Sequence, residues 1–178
     1  MALKPTIFKL RIDLADMDRN RFEAVPLTVA LHPSETIERM LVRILAFCIH
    51  VEDGLEFTKG LSEANEPDLW LRTPDDRIAL WIDVGEPSED RIRKASRQAD
   101  RTIIYSFNSK SEVWWRNEGA ALSRHPAEFF RVLWEDVQAL APLVQRTMDI
   151  AVTLSGGSAY FATADGDREV RWEAIEAP

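Results

Sequence analysis

The chain has 178 residues, 46% hydrophobic and 29% charged, a balance that suits one globular domain over 1–178 and excludes a disordered chain. A net charge of −8 argues against a large nucleic-acid-binding surface, because phosphates are held mainly by Lys and Arg. No apolar run approaches the roughly 20 residues of a membrane helix, MALKPTIFKL has no apolar signal core, and the single cysteine, Cys48, rules out an intrachain disulfide, so a cytoplasmic protein with no membrane contact is expected.

The elements follow in chain order. Phe8, Leu10, Ile12 and Leu14 alternate with Lys9, Arg11 and Asp13, which predicts a half-buried strand over 6–14. DMDRN (16–20) turns the chain, and 22–31 returns as a second strand whose Pro26 marks an edge or a bulge. Ser34 is a candidate cap for a helix over 34–50, in which Ile37, Met40, Leu41, Ile44, Leu45 and Cys48 form one apolar stripe. At about 100° per residue, Glu38 falls on the border of that stripe, on the side of Leu41 and Leu45. Residues 51–65 read as a loop.

Residues 66–72 and 77–84 read as two strands around the turn TPDD. In the second, Ile78, Leu80, Ile82 and Val84 share one face, and Ala79, Trp81 and Asp83 share the other. Ser88 caps a helix over 88–99, and 102–107 is the next strand. Ser109 and Glu112 fit a capping box for a helix over 110–121 that carries Trp114 and Trp115. A strand at 129–134 and a short helix from Asp136, bent at Pro142, lead into a β-meander over 148–172. The Trp pair packs in a core or offers a partner surface.

Gly-rich phosphate loops, Cys/His zinc spacings and nucleophile elbows are absent from the sequence. His32, His50 and His125 are scattered. Asp83 stands alone in an apolar strand, and an unpaired acid there is costly. It is either a satisfied structural carboxylate or a ligand. Two antiparallel strands joined by a short turn bring Asp68 near Asp83, and oxygen-only ligands select a hard ion such as Mg²⁺ or Mn²⁺. On the following helix Lys94 and Gln98 lie four apart on one side. Arg91, Arg93, Lys94, Arg97 and Arg101 make a basic patch opposed, within 91–101, only by Asp100.

The order helix–strand–strand–helix–strand, with Pro67-Asp68 before one strand and Asp83 in the next, resembles the core of the PD-(D/E)XK nuclease superfamily. That superfamily normally places its Lys two residues after the second acid. Here the position is Gly85, and Lys94 would supply the amine from the helix. A more specific resemblance runs from Met1 to about residue 115. The segments MALKPTIFK, DMDRNRFE, HPSETIERM, EFTKGLSEANEPDLW, WIDVGEPSEDRIRKASRQA and YSFNSKSEVWW are similar, in order and spacing, to those of the YaeQ family of bacterial proteins.

This resemblance implies a mixed α+β fold. A central mixed sheet with flanking helices would form a restriction-endonuclease-like PD-(D/E)XK variant core, with an N-terminal hairpin and a C-terminal β-meander added. It implies that Glu38, Asp68, Asp83 and Lys94 occupy the positions of the nuclease acids and amine, with Gln98 beside them. It brings no established reaction. Two expectations follow. One is a Mg²⁺- or Mn²⁺-dependent phosphodiesterase on DNA or RNA, with Asp68 and Asp83 on the ion and Lys94, Glu38 and Gln98 as catalytic candidates. The other is a non-catalytic regulatory module that keeps the frame and binds nucleic acid or a protein partner.

Overall fold

A computed structural model describes residues 3–178; Met1 and Ala2, which open the MALKPTIFK segment, lie outside the described residues. The fold is mixed α+β. In chain order it contains β1 (Thr6–Asp16), β2 (Arg21–Leu31), α1 (Ile37–His50), β3 (Leu55–Phe57), β4 (Leu69–Arg72), β5 (Ile78–Val84) and α2 (Glu89–Gln98). Then follow β6 (Ala99–Ser106), α3 (Ser111–Leu122), β7 (Glu128–Val132), α4 (Trp134–Leu140), β8 (Thr147–Ser155), β9 (Ser158–Thr163) and β10 (Gly166–Ala174). Two compact units divide the chain: Met1–Ile49 with Leu133–Trp172, and His50–Val132 with Glu173–Pro178.

In the first unit the strands run in the order β2-β1-β8-β9-β10. β1 and β2 form the expected hairpin, paired from Thr6↔Leu31 to Asp16↔Arg21, and β1 pairs in parallel with β8. The turn between β1 and β2 is held by Asp16, whose carboxylate accepts the Asp18 and Arg19 N–H groups. Pro26 sits on the edge strand, where its missing N–H costs least. The period-2 pattern buries Phe8, Leu10, Ile12 and Leu14, and Ile150, Val152 and Leu154 of β8. From α1, Leu41, Val42 and Leu45 meet Val137 and Leu140 of α4 and Phe161 and Val170 of the meander around one apolar gap. Each such fully buried side chain contributes about 1.5–3 kcal/mol.

The cap of α1 differs from expectation. The helix begins at Ile37, and Thr36 Oγ1, not Ser34, accepts the Arg39 N–H at 3.2 Å. Ser34 lies two residues too early, and its hydroxyl bonds His32 Nδ1 instead.

In the second unit the order is β7-β6-β5-β4-β3. β3, β4 and β5 pair antiparallel; β5, β6 and β7 pair parallel. β3 lies within the segment expected to be loop, since three residues are too few to show a period. The links between the parallel strands are α2 and α3. Ile92 of α2, Ile104 of β6, Trp115 and Leu122 of α3 and Phe129 of β7 form one buried cluster, so both helices cover the same sheet face. Trp114 packs against that cluster and donates its Nε1–H to Pro87 O, so the Trp pair is core material rather than a partner surface. The Ser109/Glu112 capping box does not form. α3 starts at Ser111, and the Lys110 N–H goes to Asn108 Oδ1 at 2.7 Å. Among the described residues no helix is long and apolar enough to cross a membrane.

Candidate functional site at the acid pair

Asp68 precedes β4, donates its N–H to Ile82 O at 3.0 Å and accepts the Val84 N–H on Oδ2 at 2.7 Å. Continuing the Leu69↔Ile82 register by one step sets Asp68 opposite Asp83. Directly opposed residues share a face, so both acids lie on one side of the β4–β5 pair. Asp83 pairs in register with Ile104, which packs on Ile92, so this is the face that carries α2. Both acids are almost wholly buried, each 3% exposed.

Ser88 caps α2 as expected, accepting the Arg91 N–H. That cap fixes the first turn of the helix and carries the Arg91 side chain back to the end of β5. Its guanidinium grips Asp83 with two prongs, Nε to Oδ2 at 2.7 Å and Nη2 to Oδ1 at 2.9 Å. Bidentate guanidinium–carboxylate geometry is the strongest form of this contact. The remaining donors reach Ala64 O at 2.6 Å and Glu66 O at 2.9 Å. The guanidinium also stands 5.8 Å from the Trp81 ring centroid, within cation–π range. The bond to Asp83, then the charges of Asp83 and Asp68, hold Arg91 above its ordinary pKa against its burial.

Gly85, where the nuclease pattern would have its Lys, leaves β5 with φ +125, a conformation L side chains rarely adopt. Its N–H bonds Tyr105 O at 2.8 Å, which pins the exit from the strand. The backbone itself disfavours a Lys at this position. Lys94 is 67% exposed and pairs with Asp90 at 2.8 Å. With Gln98, Arg91, Trp81 and Asn65 it lines a pocket of about 210 Å³. Glu38 is half-buried in the first turn of α1, in the first unit.

As arranged, these residues do not fit a divalent ion. Both Asp83 oxygens are engaged by Arg91, and Asp68 Oδ2 is engaged by the Val84 N–H. Among the described residues no group of three or more His, Cys, Asp or Glu could hold a metal.

The basic patch is largely neutralised from outside its own segment. Arg93 and Lys94 share Asp90, and Arg101 takes Glu128 with two prongs. The carboxyl of Asp90 is held below the ordinary range, first by its bond to Lys94.

Sequence reasoning missed the role of Arg91, which it placed only in the basic patch. The available signal was its position: a first-turn residue in a strand–loop–helix unit returns over the strand end. It also passed over Glu86, at the carboxyl ends of the parallel strands. Glu86 bonds Ser106 Oγ at 2.7 Å and accepts from the Asn108 side chain and the Phe107 N–H. Ser106 is in turn bonded to Ser111, and both hydroxyls are buried, so this network braces the β6–α3 corner. His50 bonds the buried Tyr105 hydroxyl at 2.7 Å, and burial pushes that phenol's pKa well up.

The family model described as YaeQ protein matches residues 1–172. The chain is 39% identical to the uncharacterised protein YaeQ of Salmonella typhi, over all of this chain and 99% of that one. It is 36% identical to the YaeQ protein of Escherichia coli K12 with the same coverage. The crystal structure of YaeQ from Xanthomonas axonopodis pv. citri superposes with a TM-score of 0.92 at 34% identity, over 98% of this chain and 99% of that one. YaeQ from Pseudomonas syringae gives 0.91 at 34% identity, over 98% and 97%. A match to the family model over nearly the whole chain, with full-length relatives well above 30% identity, places the family beyond the fold alone: this chain belongs to the YaeQ family.

Proposed function

We propose that this protein is a non-catalytic regulatory module that keeps a PD-(D/E)XK-like frame and binds another protein. Support for the frame is the succession β4, β5, α2, β6, with Asp68 and Asp83 on one face and Lys94 and Gln98 on the helix that follows. The observation that carries the non-catalytic reading is the two-pronged grip of Arg91 on Asp83. An ion-dependent phosphodiesterase needs open carboxylate oxygens for the metal that polarises the phosphoryl group. Here those oxygens are committed to a guanidinium. A protein partner is favoured over nucleic acid because the net charge is −8 and most of the α2 cations are paired within the chain.

The test is calorimetry with Mg²⁺ and Mn²⁺, beside a fluorescent oligonucleotide assay at low salt on single-stranded, double-stranded and structured substrates, with and without EDTA. The expected result is no ion site of about millimolar affinity or better and no binding or cleavage. Ion-dependent cleavage that is lost in both Asp83→Ala and Lys94→Ala would replace this reading with a phosphodiesterase.

A further inference from the structure

The oxygens around Arg91 are of the types that hard divalent cations take as ligands. Two belong to the Asp83 carboxylate and two are backbone carbonyls, Ala64 O and Glu66 O, all 2.6 to 2.9 Å from guanidinium nitrogens. The charge of Asp68 adds to the field there. Carboxylates mixed with backbone carbonyls are the ligands Ca²⁺ and similar ions use.

We propose that Arg91 is a resident cation that stands in for a divalent ion in this all-oxygen cage. The inference rests on the reading above, in which the native chain holds no ion at the acid pair. A guanidinium delivered by the first turn of α2 satisfies four oxygens without recruiting anything from solution. It also ties the carbonyls of residues 64 and 66, and so the segment before β4, to the helix. The cage then has two alternative occupants of the same charge sign. If the built-in one is removed, the negative oxygens remain, and a hard divalent ion takes the place.

The experiment compares the native chain with Arg91→Ala, Arg91→Lys and the double variant Arg91→Ala/Asp83→Asn. Thermal unfolding and calorimetry are followed with Mn²⁺ and Ca²⁺ at fixed ionic strength. The native chain and Arg91→Lys should be indifferent to the ions. Arg91→Ala should gain about 3 °C or more in Tm at roughly 10 mM ion, and the double variant should lose that gain. Where Arg91→Ala is unfolded without ion, recovery of its native circular dichroism on adding Mn²⁺ or Ca²⁺ is the same positive result. An Arg91→Ala protein that neither gains stability nor refolds with either ion overturns the proposal and leaves the binding-module reading standing. Ion binding by the native chain, abolished in Asp83→Asn, overturns that reading instead.

Discussion

Arg91 and Asp83, eight positions apart in sequence, meet in a two-pronged ion pair in which the acid side chain is 4% exposed and the base 32%. The pair closes the β5–α2 connection, so its loss is felt in folding. Asp83→Asn leaves a partly buried guanidinium facing an amide that offers one acceptor and two like-polarity donors. Removing one partner of a fully buried pair costs about 3–5 kcal/mol. With Arg91 one-third exposed, about 2–3 kcal/mol is expected here. Urea unfolding measures it. A variant as stable as the native chain would mean that Asp83 stores strain instead of relieving it.

Gly119 lies inside α3 under the Trp115 ring. A Cβ there would come within 3.0 Å of Trp115 Cδ2 and Cε2. The ring has little room to retreat. It is 8% exposed, stands 4.9 Å from Phe129 and donates its Nε1–H to Glu176 O. In an open helix Gly→Ala gains about 0.5–1 kcal/mol. Overpacking costs about 1–3 kcal/mol and decides the sign, so Gly119→Ala should lower the midpoint of thermal unfolding. A raised midpoint would show that the Trp115 cluster yields.

The Thr36 cap gives a paired test. Thr36→Ala should cost about 1 kcal/mol, because it leaves the Arg39 N–H without its side-chain acceptor. Ser34→Ala should change stability by less than about 0.5 kcal/mol, because Ser34 bonds only its exposed neighbourhood at His32. Equal losses in chemical denaturation would mean that the helix start lies further upstream.

Local periodicity explains which parts of the molecule could be read from sequence. β1, β2 and β8 each bury one face, so alternation placed them to within about two residues. A bulge between Leu71 and Arg72 shifts the register away from the count the turn sets, so only the nearness of Asp68 and Asp83, and not their shared face, was legible. The partner of Asp83 was not. Whether Arg91 turns toward the strand or toward solvent depends on how α2 rests on the sheet through Ile92 and Ala95, which its first-turn position hints at but does not fix. The neutralisation of Arg101 by Glu128, 27 positions away, is of the same kind. The need for Gly85 is set by the positive φ at the strand exit, a backbone angle that sequence only hints at.

The pairing of Asp136 with Arg171 makes an acid-sensitive contact in the first unit. Arg171 Nε meets Asp136 Oδ2 at 2.8 Å, Nη2 meets Oδ1 at 2.9 Å, and the Arg171 N–H also reaches Oδ2 at 3.0 Å. The side-chain bond to Arg171, with its backbone N–H and its charge, holds the Asp136 carboxyl below its ordinary value against burial. The folded chain therefore gives up that proton more readily than the unfolded chain does. The linkage then has one sign: the contribution is complete above the unfolded aspartate value of about 3.9 and is lost as pH falls through the lower folded value. Asp136→Asn should unfold at lower urea than the native chain throughout neutral pH. The gap should narrow only once the pH drops under about 4. Paired urea titrations from neutral pH to strong acid decide it. A gap that is the same at both ends of the range would show that Asp136 acts through packing of α4 on the meander and not through its charge.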